Sequence, residues 1–133
     1  MSGMRIESFR TYIMAVINKL TPMLETKSIQ ETIAFYKDVV HFTLDSYNEQ
    51  WGWEQVSKDE ISIMISLPNA HRNMKGPIMS GSLYMNVHDV ESIWNNIKDK
   101  CKICYPPEQF DYGMREFGVY DNNRYLLQFG EEV

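Results

Sequence analysis

Glu116 and Gln128 are the side chains best placed to act on a small molecule. Each falls in an alternating segment: Phe117 and Val119 oppose Glu116, Gly118 and Tyr120, while Tyr125, Leu127 and Phe129 oppose Leu126, Gln128 and Gly130. For both apolar sets to reach one core, residues of equal parity must pair. A loop of odd length, Asn122 to Arg124, allows this and sets Gly118 opposite Gln128. The hairpin then has one apolar face and one polar floor. A carboxylate on such a floor acts as a general base if its surroundings raise its pKa. A strand glutamate more commonly makes an ion pair, and Arg115 is expected to make an ion pair or carbonyl contact at the helix side or the rim.

Other residues offer other chemistry. Trp51 and Trp53 are two apart, hence on one face of a strand, with Tyr47, Phe110 and Tyr112 at the rim. Such a wall stacks on planar or cationic guests, or else completes a core or dimer interface. Cys101 and Cys104 form a C-x-x-C, but at the end of a helix rather than at its start, and with no second ligand pair. Two reduced, packed cysteines are expected. Of the histidines, His41 ends a helix, His71 lies in a loop and His88 precedes a helix cap.

These residues depend on a repeated set of elements. Val16 to Thr26 reads as a strand, with Pro22 marking an edge or bulge. Ser28 and Glu31 form a capping box before the stripe Ile29, Ile33, Tyr36 and Val40. Strands follow at Phe42 to Tyr47, Trp51 to Ser57 and Glu60 to Leu67. The polar stretch from Pro68 to Pro77 joins this half to a second one: a strand at Leu83 to Val87, then a helix capped by Asp89 with the stripe Val90, Ile93, Trp94 and Ile97. The two caps lie 61 residues apart. If each helix covers one sheet face, the open faces carry Thr21, Met23 and Glu25, then Ser62, Met64 and Ser66, then Ser82, Tyr84 and Asn86, then Leu126, Gln128 and Gly130.

The chain is 133 residues long, 44% hydrophobic and 23% charged, with net charge -5. That suits one globular domain and argues against a nucleic-acid or anionic-membrane partner. No N-terminal segment has the length of a signal-peptide core, so a cytoplasmic setting is expected, with Met14 as an alternative start.

Gly113-Met114-Arg115-Glu116-Phe117 and Leu126-Leu127-Gln128-Phe129 resemble the closing hairpin of the vicinal-oxygen-chelate superfamily, which includes glyoxalases, bleomycin-resistance proteins and extradiol dioxygenases. The turn departs from the family pattern, with Arg124 where glycine is usual; Asn123 is expected to take the left-handed backbone instead. His41 likewise replaces a helix-ending glycine. The resemblance implies an α+β fold: two paired β-α-β-β-β modules, at about 15–67 and 79–131, forming curled mixed sheets around a cleft. The linker is 68–78, the domain 15–133, and residues 1–14 are an extension.

Carried over from the family, the metal-ligand positions are Thr21, Ser82 and Gln128, a set without imidazole or carboxylate. The resemblance, closest to the bleomycin-resistance branch, therefore implies a metal-independent protein without a cofactor that binds a small cationic or aromatic molecule and sequesters it. It also implies a homodimer with two clefts. Contact residues would be Trp51, Trp53, Tyr84, Asn86, Tyr112, Met114, Glu116 and Gln128. Two alternatives stay open: a lyase, isomerase or dioxygenase using a metal or Glu116, and a dimeric interaction module with no ligand.

Overall fold

The computed structural model describes residues 18–68 and 76–133. The expected 1–14 extension, His71 and most of the 68–78 linker lie outside them. Among the described residues, two four-stranded sheets form the frame of the fold. The first half runs β1 (Met23–Glu25), α1 (Ile29–Ala34), β2 (Thr43–Asn48), β3 (Trp53–Lys58) and β4 (Ile61–Ser66). The second runs β5 (Leu83–Asn86), α2 (Val90–Ile97), β6 (Lys102–Phe110), β7 (Met114–Tyr120) and β8 (Leu126–Glu132). The strand orders β1-β4-β3-β2 and β5-β8-β7-β6 are the same pattern twice, with one parallel pair in each.

Local chemistry sets the element ends. Ser28 accepts a hydrogen bond from the Glu31 amide, and Asp89 from the Ser92 amide, so both caps behave as their sequences require. α1 is shorter than its apolar stripe suggests, because it widens into a π-helical stretch at Phe35–Val39. His41 closes that stretch at φ 62, the left-handed region expected at its position. Pro22 stands just before β1, an edge strand, and its carbonyl accepts the Met64 amide.

Tyr36, Val56, Ile63, Ile65, Val90, Ile97, Phe117 and Leu127 form one continuous core between helices and sheets. The two halves are also tied by polar contacts. Tyr36 donates to Asp121 at 2.7 Å, Thr26 to the Asn123 side-chain oxygen at 2.9 Å, and the Tyr125 hydroxyl to the Glu25 carbonyl at 2.7 Å.

The closing hairpin has the expected register, with Gly118 opposite Gln128 and the Asp121 amide bonded to the Tyr125 carbonyl. Its turn does not follow expectation. Arg124, not Asn123, takes the left-handed backbone, at φ 69. Asn123 is held in place by its amide, which donates to Asp121 Oδ1 at 2.8 Å, and by its side chain, which reaches Thr32. The conformational cost falls on the next residue.

Glu54 is an anomaly on the core side. It lies on β3 in register with Ile65 and Tyr47, is 4% exposed, and its Oε2 has no hydrogen-bond partner among the described residues. Burial pushes its carboxyl up to about 7. Since an unfolded glutamate titrates near ~4.3, the native state keeps a proton that the unfolded chain has released, and stability from this group falls as pH rises from ~4.3 towards 7. The side chain is enclosed by only a thin layer of protein, so nearby solvent still screens the charge and reduces the effect to about 1–2 kcal/mol. Glu54→Gln should therefore match the native protein below about pH 4 and exceed it by about 1–2 kcal/mol at pH 8 in urea unfolding. An equal pH slope in both proteins would refute this.

Candidate functional site

The open face of the second sheet gathers a cluster around Glu116, which is 2% exposed at the centre of β7. Tyr84 from β5 and Tyr112 from the β6–β7 turn each donate to Glu116 Oε1 at 2.8 Å. Tyr105 from β6 donates to Oε2 through a short hydrogen bond. Gln128 donates from Nε2 to the Tyr105 oxygen at 2.8 Å, and its Oε1 accepts a short bond from Ser82. Phe110 stacks on Tyr112, with ring centres 5.4 Å apart and planes 6° from parallel.

Two glycines make room for the rings. A Cβ at Gly118 would lie 2.5 Å from the Tyr105 ring, and one at Gly130 would lie 2.0 Å from the Tyr84 hydroxyl. Tyr105 sets one edge of its ring, and Tyr84 its hydroxyl end, against backbone that carries no side chain.

The electrostatics follow from this packing. Burial alone would raise the Glu116 pKa, but hydrogen bonds from Tyr105, Tyr112 and Tyr84 outweigh it and hold the carboxyl below its ordinary value. Burial and the bond to Glu116 push Tyr84 up to about 12, and Tyr105 also rises. The hydroxyls therefore stay protonated as donors. Of the two readings open for Glu116, a lowered carboxyl with both oxygens engaged favours a paired acceptor over a general base, although its partners are tyrosines rather than a cation.

The predicted contact residues divide between the two sheets. Tyr84, Tyr112, Glu116 and Gln128 come together, with Met114 opposite Phe110 beside them. Asn86 lies on the same face, exposed and opposite Gly130. Trp51 and Trp53 belong to the first half. They do not share a strand face, because Trp51 sits in the turn before β3 and is 77% exposed. Trp53 is on the open face in register with Ser66, whereas Tyr47 is in register with Glu54 on the opposite face and is itself exposed. Phe110 and Tyr112 pair with each other rather than with the tryptophans. Arg115 pairs with Glu91 of α2 at 2.8 Å, as expected.

Tyr105, which touches both Glu116 and Gln128, escaped the sequence reading. Two register shifts in β6, around Cys104 and around Pro106-Pro107, break the alternation that would have placed it on the floor. The available signal was the pair Gly118 and Gly130, small residues where a neighbouring strand must lay a ring.

The family's metal fits these residues poorly. Ser82 and Gln128 are bonded to each other, both Glu116 oxygens are taken, and Thr21 offers a hydroxyl from the first half. Among the described residues, no three His, Cys, Asp or Glu side chains cluster closely enough to hold an ion. His41 and His88 are exposed. Cys101 and Cys104 are free thiols, and Cys104 is exposed rather than packed. Among the described residues, no helix is long and apolar enough to cross a membrane.

Comparison with curated proteins finds no match. Solved structures are similar in fold. A glyoxalase/bleomycin resistance protein/dioxygenase superfamily member from Sphaerobacter thermophilus DSM 20745 has a TM-score of 0.76 at 14% identity, covering 88% of this chain and 98% of its own. TioX from Micromonospora sp. ML1 gives 0.75 at 14% identity, with 87% and 99% covered. A glyoxalase-related enzyme from Clostridium phytofermentans gives 0.72 at 15%, with 90% and 98% covered. At such identities the likeness concerns fold alone. The sequence profile of one family extends over residues 17–129, across both modules, and by that match the chain belongs to the Glyoxalase/Bleomycin resistance protein/Dioxygenase superfamily.

Proposed function

We propose that this protein binds a small cationic or aromatic molecule without a metal and sequesters it rather than transforming it. The observation that carries this reading is the convergence of Tyr84, Tyr105 and Tyr112 on an ionised, buried Glu116. Ring faces attract cations, and the fixed carboxylate adds its field to theirs. The hydroxyl bonds spend the carboxylate's lone pairs, leaving recognition rather than proton transfer. The reading includes a cytoplasmic homodimer with two clefts. Exposed Met23, Trp51 and Leu67, all in the first half, support a covering partner surface.

Calorimetric titration with tetraalkylammonium ions and planar aromatic cations tests the reading. Saturable binding that survives EDTA is expected, and Glu116→Gln should weaken it about tenfold, the scale of one lost charge-assisted contact. Binding that requires a stoichiometric divalent ion, or turnover of the bound compound, would replace this reading with an enzymatic one. Sedimentation gives the oligomeric state independently.

A further inference from the structure

A second feature lies towards the turn end of the same sheet. A cavity of about 480 Å³ is lined by Lys102, Ile103, Cys104, Tyr120 and Arg124. Lys102 pairs in register with Tyr120, which shares its strand parity with Gly118 and Glu116, so Tyr120 links the cavity wall to the face that carries the tyrosine cluster. Glu116 and Tyr120 lie four residue steps apart along the strand, or about 13 Å.

The charge here is opposite to the protein's own. The chain carries net charge -5, yet two cations and no carboxylate line the cavity. Among the described residues, neither Lys102 nor Arg124 has an acidic partner; the Lys102 ammonium lies 5.9 Å from the Tyr120 ring centre. Arg124 also holds the left-handed backbone at φ 69, a position where glycine costs less. The Tyr120 hydroxyl donates to Cys104 Sγ at 3.2 Å, leaving an exposed thiol in the wall.

We infer that this cavity is a subsite for an oxyanion, a phosphate or carboxylate carried by a small molecule, held by Lys102 and Arg124. It deepens the proposed function by giving the guest a second, anionic end, and rests on that reading only for the joining of the two ends. An ammonium and a guanidinium suit an oxyanion through charge-assisted hydrogen bonds, and Arg offers a planar fork that Lys does not.

Cys104 reports on occupancy. Burial raises the Cys101 thiol, so a thiol-alkylating reagent should act first at exposed Cys104. The rate of Cys104 alkylation by neutral iodoacetamide is followed by peptide mass spectrometry. Inorganic phosphate and acetate are the probes, with chloride at equal ionic strength as the control. A saturable slowing of at least threefold by one or both probes, absent with chloride, is expected; the ratio between them tells phosphate from carboxylate. Arg124→Gly relieves the backbone and so should fold, and it should abolish the protection, as should Lys102→Ala. No protection, protection equal to that of chloride, or protection unchanged in both variants would overturn the subsite. Loss of cation binding in Glu116→Gln with phosphate protection intact would mean that the subsite stands on its own. Cation binding without phosphate protection would overturn the subsite and leave the proposed function in place.

Discussion

Asp121→Ala should lose about 3–5 kcal/mol of folding stability, the scale set by removing one partner from a buried, charge-assisted network. Asp121 is 5% exposed and accepts three hydrogen bonds: from the Tyr36 hydroxyl at 2.7 Å, the Asn123 amide at 2.8 Å and the Tyr125 amide at 2.9 Å. Alanine would leave those donors inside the protein without an acceptor. Tyr36 is the worst placed, since it is fully buried and belongs to the other half of the chain. Its phenol pKa is raised, first by burial and then by Asp121, so it cannot escape by ionising. Asp121→Asn keeps one acceptor oxygen and should cost only about 1–2 kcal/mol. Tyr36→Phe in the Asp121→Ala background should recover about 1–2 kcal/mol, because it deletes the stranded hydroxyl. Urea unfolding of the four proteins tests this, and a loss below about 1 kcal/mol for Asp121→Ala would show that water reaches the knot. A domain of this size typically has about 5–15 kcal/mol in all, so the larger loss would bring the chain close to unfolding.

The knot also shows what the sequence disclosed and what it concealed. Alternation in Phe117–Val119 and Tyr125–Phe129 fixed the strand faces, because burying one side of a pleated sheet tolerates no slip of a single residue. Ser28 and Asp89 marked both helix starts and, through their spacing, the repeat. The repeat itself says nothing of the contacts between halves, such as Tyr36 to Asp121, which arise only once the modules pack. The aromatic wall went wrong for a local reason. Trp51 and Trp53 have strand-like spacing, but Gly52 takes φ 62, so the chain is still turning at Trp51 and period-2 logic does not yet apply. Tyr105 was hidden by the converse effect, since β6 is a strand whose bulges shift its parity. Glu116 was placed on its face by alternation, while its electrostatics stayed open. The face follows from parity alone, whereas the sign of its pKa shift depends on three hydroxyls from three separate segments.

Glu116→Ala should cost about 2–4 kcal/mol and abolish cation binding together. The expected loss is smaller than for Asp121 because Tyr84 and Tyr112 are partly exposed and can turn their hydroxyls to water. Tyr105 lies against Gly118 and has less freedom, so most of the loss comes from its stranded hydroxyl and the vacated space. The acid limb separates charge from volume. A carboxyl held below its unfolded pKa gives stability that is present above ~4.3 and lost as pH falls through the folded value. Glu116→Gln should lack this part of the acid-induced loss while keeping most of the side-chain volume. Glu54 acts in the opposite sense between ~4.3 and 7, as does Asp121, whose carboxyl burial raises above its ordinary value, so the two limbs oppose one another. Urea midpoints from pH 3 to pH 8 for the native protein, Glu54→Gln and Glu116→Gln test both limbs. If Glu116→Gln retains the whole acid limb, the tyrosines do not hold a charge. If the limb disappears, the same ionised carboxylate that steadies the fold is the one presented to a cation at neutral pH.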